Sequence, residues 1–279
     1  MLRLLQIEYI KLKNSKASKV LIVTYFFLLT SISLIAAIKF NVGPIKFHLA
    51  DQGIFNFPYI WHFNSYMASF FKLFLLLVIV SMTANEYSNR TIKQNLIDGL
   101  SKKEFILSKF YMVITFALIS TLFVFGVSLV LGLIYSDYNE FSIVFSDLEY
   151  ILAFFVKLLG FFSFGLFLGI LIKRSAFAVA AMFVWFVAES IIFGLLKWEF
   201  KEAIADKAES IMQFFPLYSM YNLIEQPFGR LKAVKTAASQ LETTIKYDYA
   251  VHWYELVIVL FWTFLFIYFS YKLLKKRDL

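Results

Sequence analysis

The sequence predicts an all-α integral membrane protein with about six transmembrane helices, an N-terminal interfacial helix and a helical external loop between the fifth and sixth spans. Three observations predict it. Of 279 residues, 61% are hydrophobic and only 16% charged, against about 45–50% and about 25% in soluble domains. The 35 Phe residues exceed what a water-soluble fold of this size can hide from solvent. Apolar runs also recur at close to the roughly 20 residues that a helix needs to cross the hydrocarbon core.

The chain reads as a single transmembrane domain over residues 1–279. Residues 1–19 begin "MLRLLQIEYIKLKNSK", with Leu2, Leu5, Tyr9 and Leu12 at helical spacing and Arg3, Glu8, Lys11 and Lys13 elsewhere round the wheel. This pattern predicts a helix in the membrane interface with its lysines toward anionic headgroups, the alternative being a solvated basic tail. Spans are expected at 20–38, 66–84, 110–135, 151–172, 176–196 and 251–271. The first resembles a signal peptide in its preceding lysines and in Ala36 and Ala37, but its basic lead and apolar run are both too long for one.

Residues 197–250 form a long loop. Phe200, Ile204, Ala208, Ile211 and Phe215 follow a helical stripe that Pro216 should end, and Phe228, Leu231, Val234, Leu241 and Ile245 suggest a second.

An even number of spans places both termini on one side. The bias of Lys and Arg names that side as cytoplasmic, because the termini, residues 85–109 and the Lys173–Arg174 turn carry most of the basic residues in short segments. Asp137, Glu140, Asp147 and Glu149 crowd one short loop on the opposite side. The net charge of +8 is therefore topological and argues for a multi-pass protein of the cell membrane in contact with lipid, with no nucleic-acid partner.

Catalytic constellations are scarce. The absence of Cys excludes disulfides, thiolate metal sites and a Cys nucleophile. No G-x-x-x-x-G-K-[ST] loop is present, so the chain has no Walker-type ATP site. His48, Asp51, His62 and His252 have no recognised ligand spacing; interface histidines are the preferred reading over a metal site, and no metal is expected.

Within the spans, Lys72, Lys157 and Glu189 are costly charges. They either line a translocation path or form an intramembrane ion pair, and Lys72, one to two turns from the outer edge of its span, is placed to snorkel. Gly165 and Gly169 form a G-x-x-x-G pair suited to close helix packing, within the chain or between chains.

Residues 85–109, between the second and third spans, are more structured than a linker requires. "SNRTIKQNLIDG" reads as a helix with Ile92, Leu96 and Ile97 on one side, stopped by Gly99. "SKKE" then supplies Ser101 as N-cap with Glu104 three residues later, a capping box that starts a new helix. Helix, tight break, helix makes a rigid lever with a protruding elbow.

The order "EYSNRTI … LIDGLSKKEFILSK" resembles the loop that permeases of the type-2 ATP-binding-cassette (ABC) exporter family present to their ATPase. The matching positions are Glu86 at the end of the second span, Thr91, Gly99, Lys102 or Lys103, and Lys109 entering the third. Arg90 departs from the Gly common before Thr91, and Asp98-Gly99 stands where Pro often sits.

The resemblance implies a permease subunit that exports a hydrophobic or amphipathic substrate. It implies a second permease copy or paralogue and a separate ABC ATPase that holds ATP and Mg. It also implies that Glu86, Arg90, Thr91, Asp98, Gly99, Ser101, Lys102, Lys103, Glu104 and Lys109 form the coupling elbow. The chain itself needs no cofactor and is not an enzyme. The alternative is a membrane scaffold whose elbow recruits some other cytoplasmic protein.

Overall fold

The computed structural model describes residues 2–37, 39–42, 45–48, 53–200, 205–231, 234–236, 240 and 248–277. The chain is helical along nearly all of this length. Helices α1 (Leu2–Asn14) and α2 (Lys16–Ala37) precede a short antiparallel hairpin, β1 (Lys39–Val42) with β2 (Ile45–His48), in which Lys39 faces His48 and Val42 faces Ile45. The hairpin is a small departure from the all-helical expectation.

Then follow α3 (Tyr59–Ala68), a 3₁₀ turn at Ser69–Phe71, α4 (Lys72–Ser88), α5 (Thr91–Ile97) and α6 (Lys102–Tyr135). The second half holds α7 (Phe141–Val144), α8 (Glu149–Ile172), α9 (Ser175–Phe200), α10 (Ala205–Met212), α11 (Pro216–Asn222) and α12 (Trp253–Lys275).

Among the described residues, five stretches are long and apolar enough to cross a membrane: Tyr59–Ser88, Lys102–Tyr135, Phe141–Ile172, Ser175–Glu199 and Trp253–Lys275. The expected crossing at 20–38 lies in α2, which is not among those five, and Ile38 lies outside the described residues.

The second crossing begins earlier than its apolar run suggests, because α3 and the 3₁₀ turn extend α4 outward to Tyr59. Lys72 is thus 13 residues inside the stretch, roughly 20 Å at 1.5 Å per residue.

The core is built around α8, whose residues are buried along most of its length and which packs against α4, α6, α9 and α12. Small residues set the closest approach. A Cβ on Gly165 would lie 2.2 Å from Leu76 Cδ1 of α4, and one on Gly169 would meet Thr83 Cβ at 3.6 Å. The G-x-x-x-G face therefore sits against α4 of the same chain, where Gly165 makes room for the Leu76 side chain and Gly169 leaves ordinary contact distance to Thr83.

By contrast, α9 leaves Phe183, Val184, Ile191 and Trp198 exposed, an apolar face suited to lipid or another helix.

Two expectations about the flanking helices change. In α1 the buried line is Leu4, Glu8 and Leu12, at i, i+4 and i+8, whereas Tyr9 is exposed. Pro216 opens a helix instead of ending one: the first loop helix stops at Met212, and Pro216 occupies the first turn of α11, where its missing N–H costs nothing. Of the expected loop stripes, Ile204, Leu241 and Ile245 lie outside the described residues.

Gly165→Val should lower stability by about 1–3 kcal/mol through overpacking against Leu76. Thermal unfolding of the detergent-solubilised protein reads the loss, and adding Leu76→Ala should recover part of it.

Candidate functional site

The elbow starts where α4 ends. Arg90 takes a left-handed conformation, φ 55°, which turns the chain out of α4 and into the short helix α5. Such a φ strains a residue with a Cβ and suits Gly.

At the other end of α5, Gly99 has φ +94°. The Gly99 N–H donates to the Leu96 carbonyl at 3.2 Å and the Leu100 N–H to the Asn95 carbonyl at 3.0 Å. This pair is a Schellman motif, which satisfies the last carbonyls of the helix and reverses the chain.

Two residues later the capping box forms. The Ser101 hydroxyl accepts from the Glu104 N–H at 3.1 Å, and the Glu104 carboxylate accepts from the Ser101 N–H at 2.9 Å. Each device is local and sets where the chain turns, while a seven-residue helix relies on packing for its stability.

What anchors the elbow to the bundle is not local. Glu86 at the end of α4, Lys109 early in α6, and Glu8 and Lys11 of α1 converge into one cluster. Lys109 Nζ donates to Glu8 Oε2 at 2.6 Å and to Glu86 Oε1. Lys11 Nζ donates to Glu86 Oε1 at 2.9 Å and to Glu8 Oε1 at 3.2 Å. Ser108 and Asn95 add hydrogen bonds to Glu8 and Glu86.

Glu8, Glu86 and Lys109 are all buried, at 1%, 5% and 3% exposure, and two carboxylates balance two ammonium groups. Burial alone would push the Glu8 carboxyl up, but Lys109 and Lys11 outweigh it and hold it below the ordinary carboxylate range.

Of the remaining elbow residues, Lys102 is committed to the tail of the chain, donating to the Arg277 carbonyl at 2.7 Å and, at 3.4 Å, to the carbonyl of Lys275, the last residue of α12. Arg277 in turn donates to the carbonyls of Ile170 and Leu171 at 2.5 and 3.0 Å, satisfying the end of α8. Glu104 also meets Arg3 at 3.4 Å. Thr91 reaches the Glu86 carbonyl at 3.4 Å, and Asp98 accepts from Gln94 at 3.0 Å.

Lys103 and Ile97 point outward. Ile92 is buried as expected, whereas Ile97 is 72% exposed on the opposite face of α5. Sequence reading missed Glu8, Lys11, Asn95 and Arg277. The available signal was Glu8 itself, an acid in register with Leu4 and Leu12.

The charges within the spans do not join one another. Glu189 accepts from Trp185 Nε1 at 2.6 Å and from the backbone N–H groups of Leu217 and Tyr218 at 3.2 and 2.7 Å. It thus caps the N-terminus of α11 from a neighbouring helix. Lys157, fully buried, donates to the Tyr221 carbonyl at 3.0 Å, and Lys72 lies 4.5 Å from the centroid of the Phe161 ring. Among the described residues no ion pair joins Glu189 to either lysine.

At that same far end, His62 stacks on Tyr150 and its Nε2 contacts the Glu225 carbonyl at 2.8 Å, while His252 Nε2 meets Asp248 at 3.0 Å. Asp51 and the His48 side chain lie outside the described residues.

Glu8→Ala or Lys109→Met should each cost about 3–5 kcal/mol, since either leaves a buried charge uncompensated. Because the Glu8 carboxyl is held below its unfolded value, its contribution is fully present above the ordinary carboxylate range and is lost as pH falls through the lowered value. Unfolding of the native protein should therefore steepen in acid relative to Glu8→Gln. Separately, Gly99→Ala should destabilise by about 1 kcal/mol while Arg90→Gly relieves strain, both measured as melting temperature shifts.

No curated protein matches the chain. The sequence profile of a family described as "ABC-2 family transporter protein" matches residues 15–279. That span takes in every membrane-crossing helix, the elbow and its buried cluster except for Glu8 and Lys11. The chain belongs to the ABC-2 transporter family and is a multi-pass membrane permease subunit of an ABC transporter.

Proposed function

We propose that this permease exports a hydrophobic or amphipathic substrate across the cell membrane. It works as a dimer with both termini in the cytoplasm, driven by a separate ATPase that grips the elbow at residues 85–109. ATP and its Mg ion belong to that partner.

The observation that carries the reading is the contrast between the two sides of the elbow. Its inner side is held by a buried, charge-balanced cluster on three helices, while its outer side offers an unpartnered apolar residue, Ile97, beside the exposed Lys93 and Lys103. An apolar side chain ringed by charge at the tip of a braced turn is what a protein groove can bury.

The cluster also gives the elbow its leverage. Lys109 on α6 is bonded to Glu86 on α4 and to Glu8 on α1, so a push on α5 reaches three helices together. Closure of two ATPases on ATP would move two elbows and shift each bundle as a rigid body between inward- and outward-open arrangements.

The test is capture of the tagged protein from its native host in detergent, followed by identification of the bound chains and an ATPase assay. A Walker-type subunit should be recovered in stoichiometric yield, and Ile97→Asp with Lys103→Glu should cut that yield at least tenfold without changing insertion or melting temperature. Recovery of a partner with no ATPase activity would favour the scaffold reading, and undiminished capture by the variant would remove the elbow from the interface.

A further inference from the structure

Toward the outer part of the bundle, α4, α8, α9 and α11 enclose a groove of about 420 Å³, a volume typical of small-molecule sites. Its walls are almost wholly apolar, built from Phe70, Leu73, Leu76, Phe161, Val179 and Phe183 among others. Phe70, Leu73 and Phe183 are more than half exposed, so one side of the groove opens toward lipid.

The single charged side chain in its lining is Lys72, at the junction of the 3₁₀ turn and α4. Its ammonium group has the Phe161 ring at 4.5 Å, and no carboxylate of the described residues pairs with it. A second ammonium stands behind: Lys157 lies over the Tyr221 ring, which also lines the groove, and it is close enough to repel Lys72. Lys157 has the Glu225 carboxylate acting on it, whereas Lys72 has no acid of the described residues, and a cation so placed is costly unless something negative visits it. The Tyr66 and Tyr221 side chains add two phenol groups to the same lining.

Depth narrows the class of ligand. Lys72 is 14 residues from Glu86, roughly 21 Å of helix rise, which in a hydrocarbon core about 30 Å thick leaves it roughly 9 Å below the outer edge, inside the hydrocarbon and on the lipid-facing groove. An apolar groove open to lipid offers a free anion little, whereas an amphiphile leaves its chain in the groove and its head at the ammonium.

We propose that the groove binds a lipid-like amphiphile with an acidic head, the head at Lys72 and the chain along Leu73, Val179 and Phe183. As the cargo class, this rests on the exporter reading above; as a binding site, it does not.

The test uses the full chain purified without any ATPase, so its outcome is separate from capture of the partner. Native mass spectrometry would measure retention of phosphatidylglycerol and of phosphatidylcholine with the same acyl chains. Phosphatidylglycerol should be held at least tenfold more tightly. Lys72→Gln should abolish that preference, Lys72→Arg should keep it, and Val179→Trp, which fills the groove without touching its charge, should lose it.

Equal retention of the two lipids, or a preference that survives in both Lys72→Gln and Val179→Trp, would assign binding to surface lysines and overturn the proposal. If Lys72→Gln does not fold, the wild-type comparison and Val179→Trp decide. Inorganic phosphate at millimolar concentration should not displace the lipid; displacement would mark a plain anion site and overturn the amphiphile assignment.

Discussion

Everything at the elbow depends on one buried cluster: Glu8 and Glu86 against Lys109 and Lys11. Taking three of these charges almost wholly out of water is expensive, and the arrangement repays that cost only because every carboxylate has cationic partners and further hydrogen bonds. In return it fixes the relative positions of α1, α4 and α6. Apolar packing alone would let helices of this kind slide on one another. Directional, charge-assisted bonds do not.

The same economy governs the helix ends. A backbone group left unsatisfied within a membrane costs several kcal/mol, and this chain satisfies such groups with charged side chains from distant elements. Glu189 caps α11, Arg277 serves the last carbonyls of α8, and Lys102 serves those of α12. Charges that read in one dimension as topology signals or pathway residues are, in three dimensions, largely occupied in holding helix termini. Lys72 stands apart because it serves no helix end and meets no acid, which is why it carries the argument for an amphiphile.

Features that arise from a few consecutive residues were legible in the sequence. The capping box at Ser101 and Glu104 and the stop at Gly99 follow from hydrogen bonds within a single turn, and both stand in the structure where the pattern puts them. Ile97 was misassigned because a seven-residue helix with two adjacent apolar residues, Leu96 and Ile97, leaves its inner face ambiguous, and packing against the bundle chose Ile92 and Leu96. Pro216 was misread because Pro ends one helix and begins another with equal ease, and only the direction of the following chain tells which.

By itself, the sequence determined the membrane class of the protein, the helical character of its spans and the hinge chemistry of the elbow. These depend on composition and on spacings of three or four residues. Only the tertiary structure decided which charges meet. Glu8 is separated from Lys109 by 101 residues and Lys102 from Arg277 by 175, and no local pattern records a partner so far along the chain. The outer end of the second crossing was decided the same way: the apolar run ended near Tyr66, but α3 and a 3₁₀ turn carried the helix on to Tyr59.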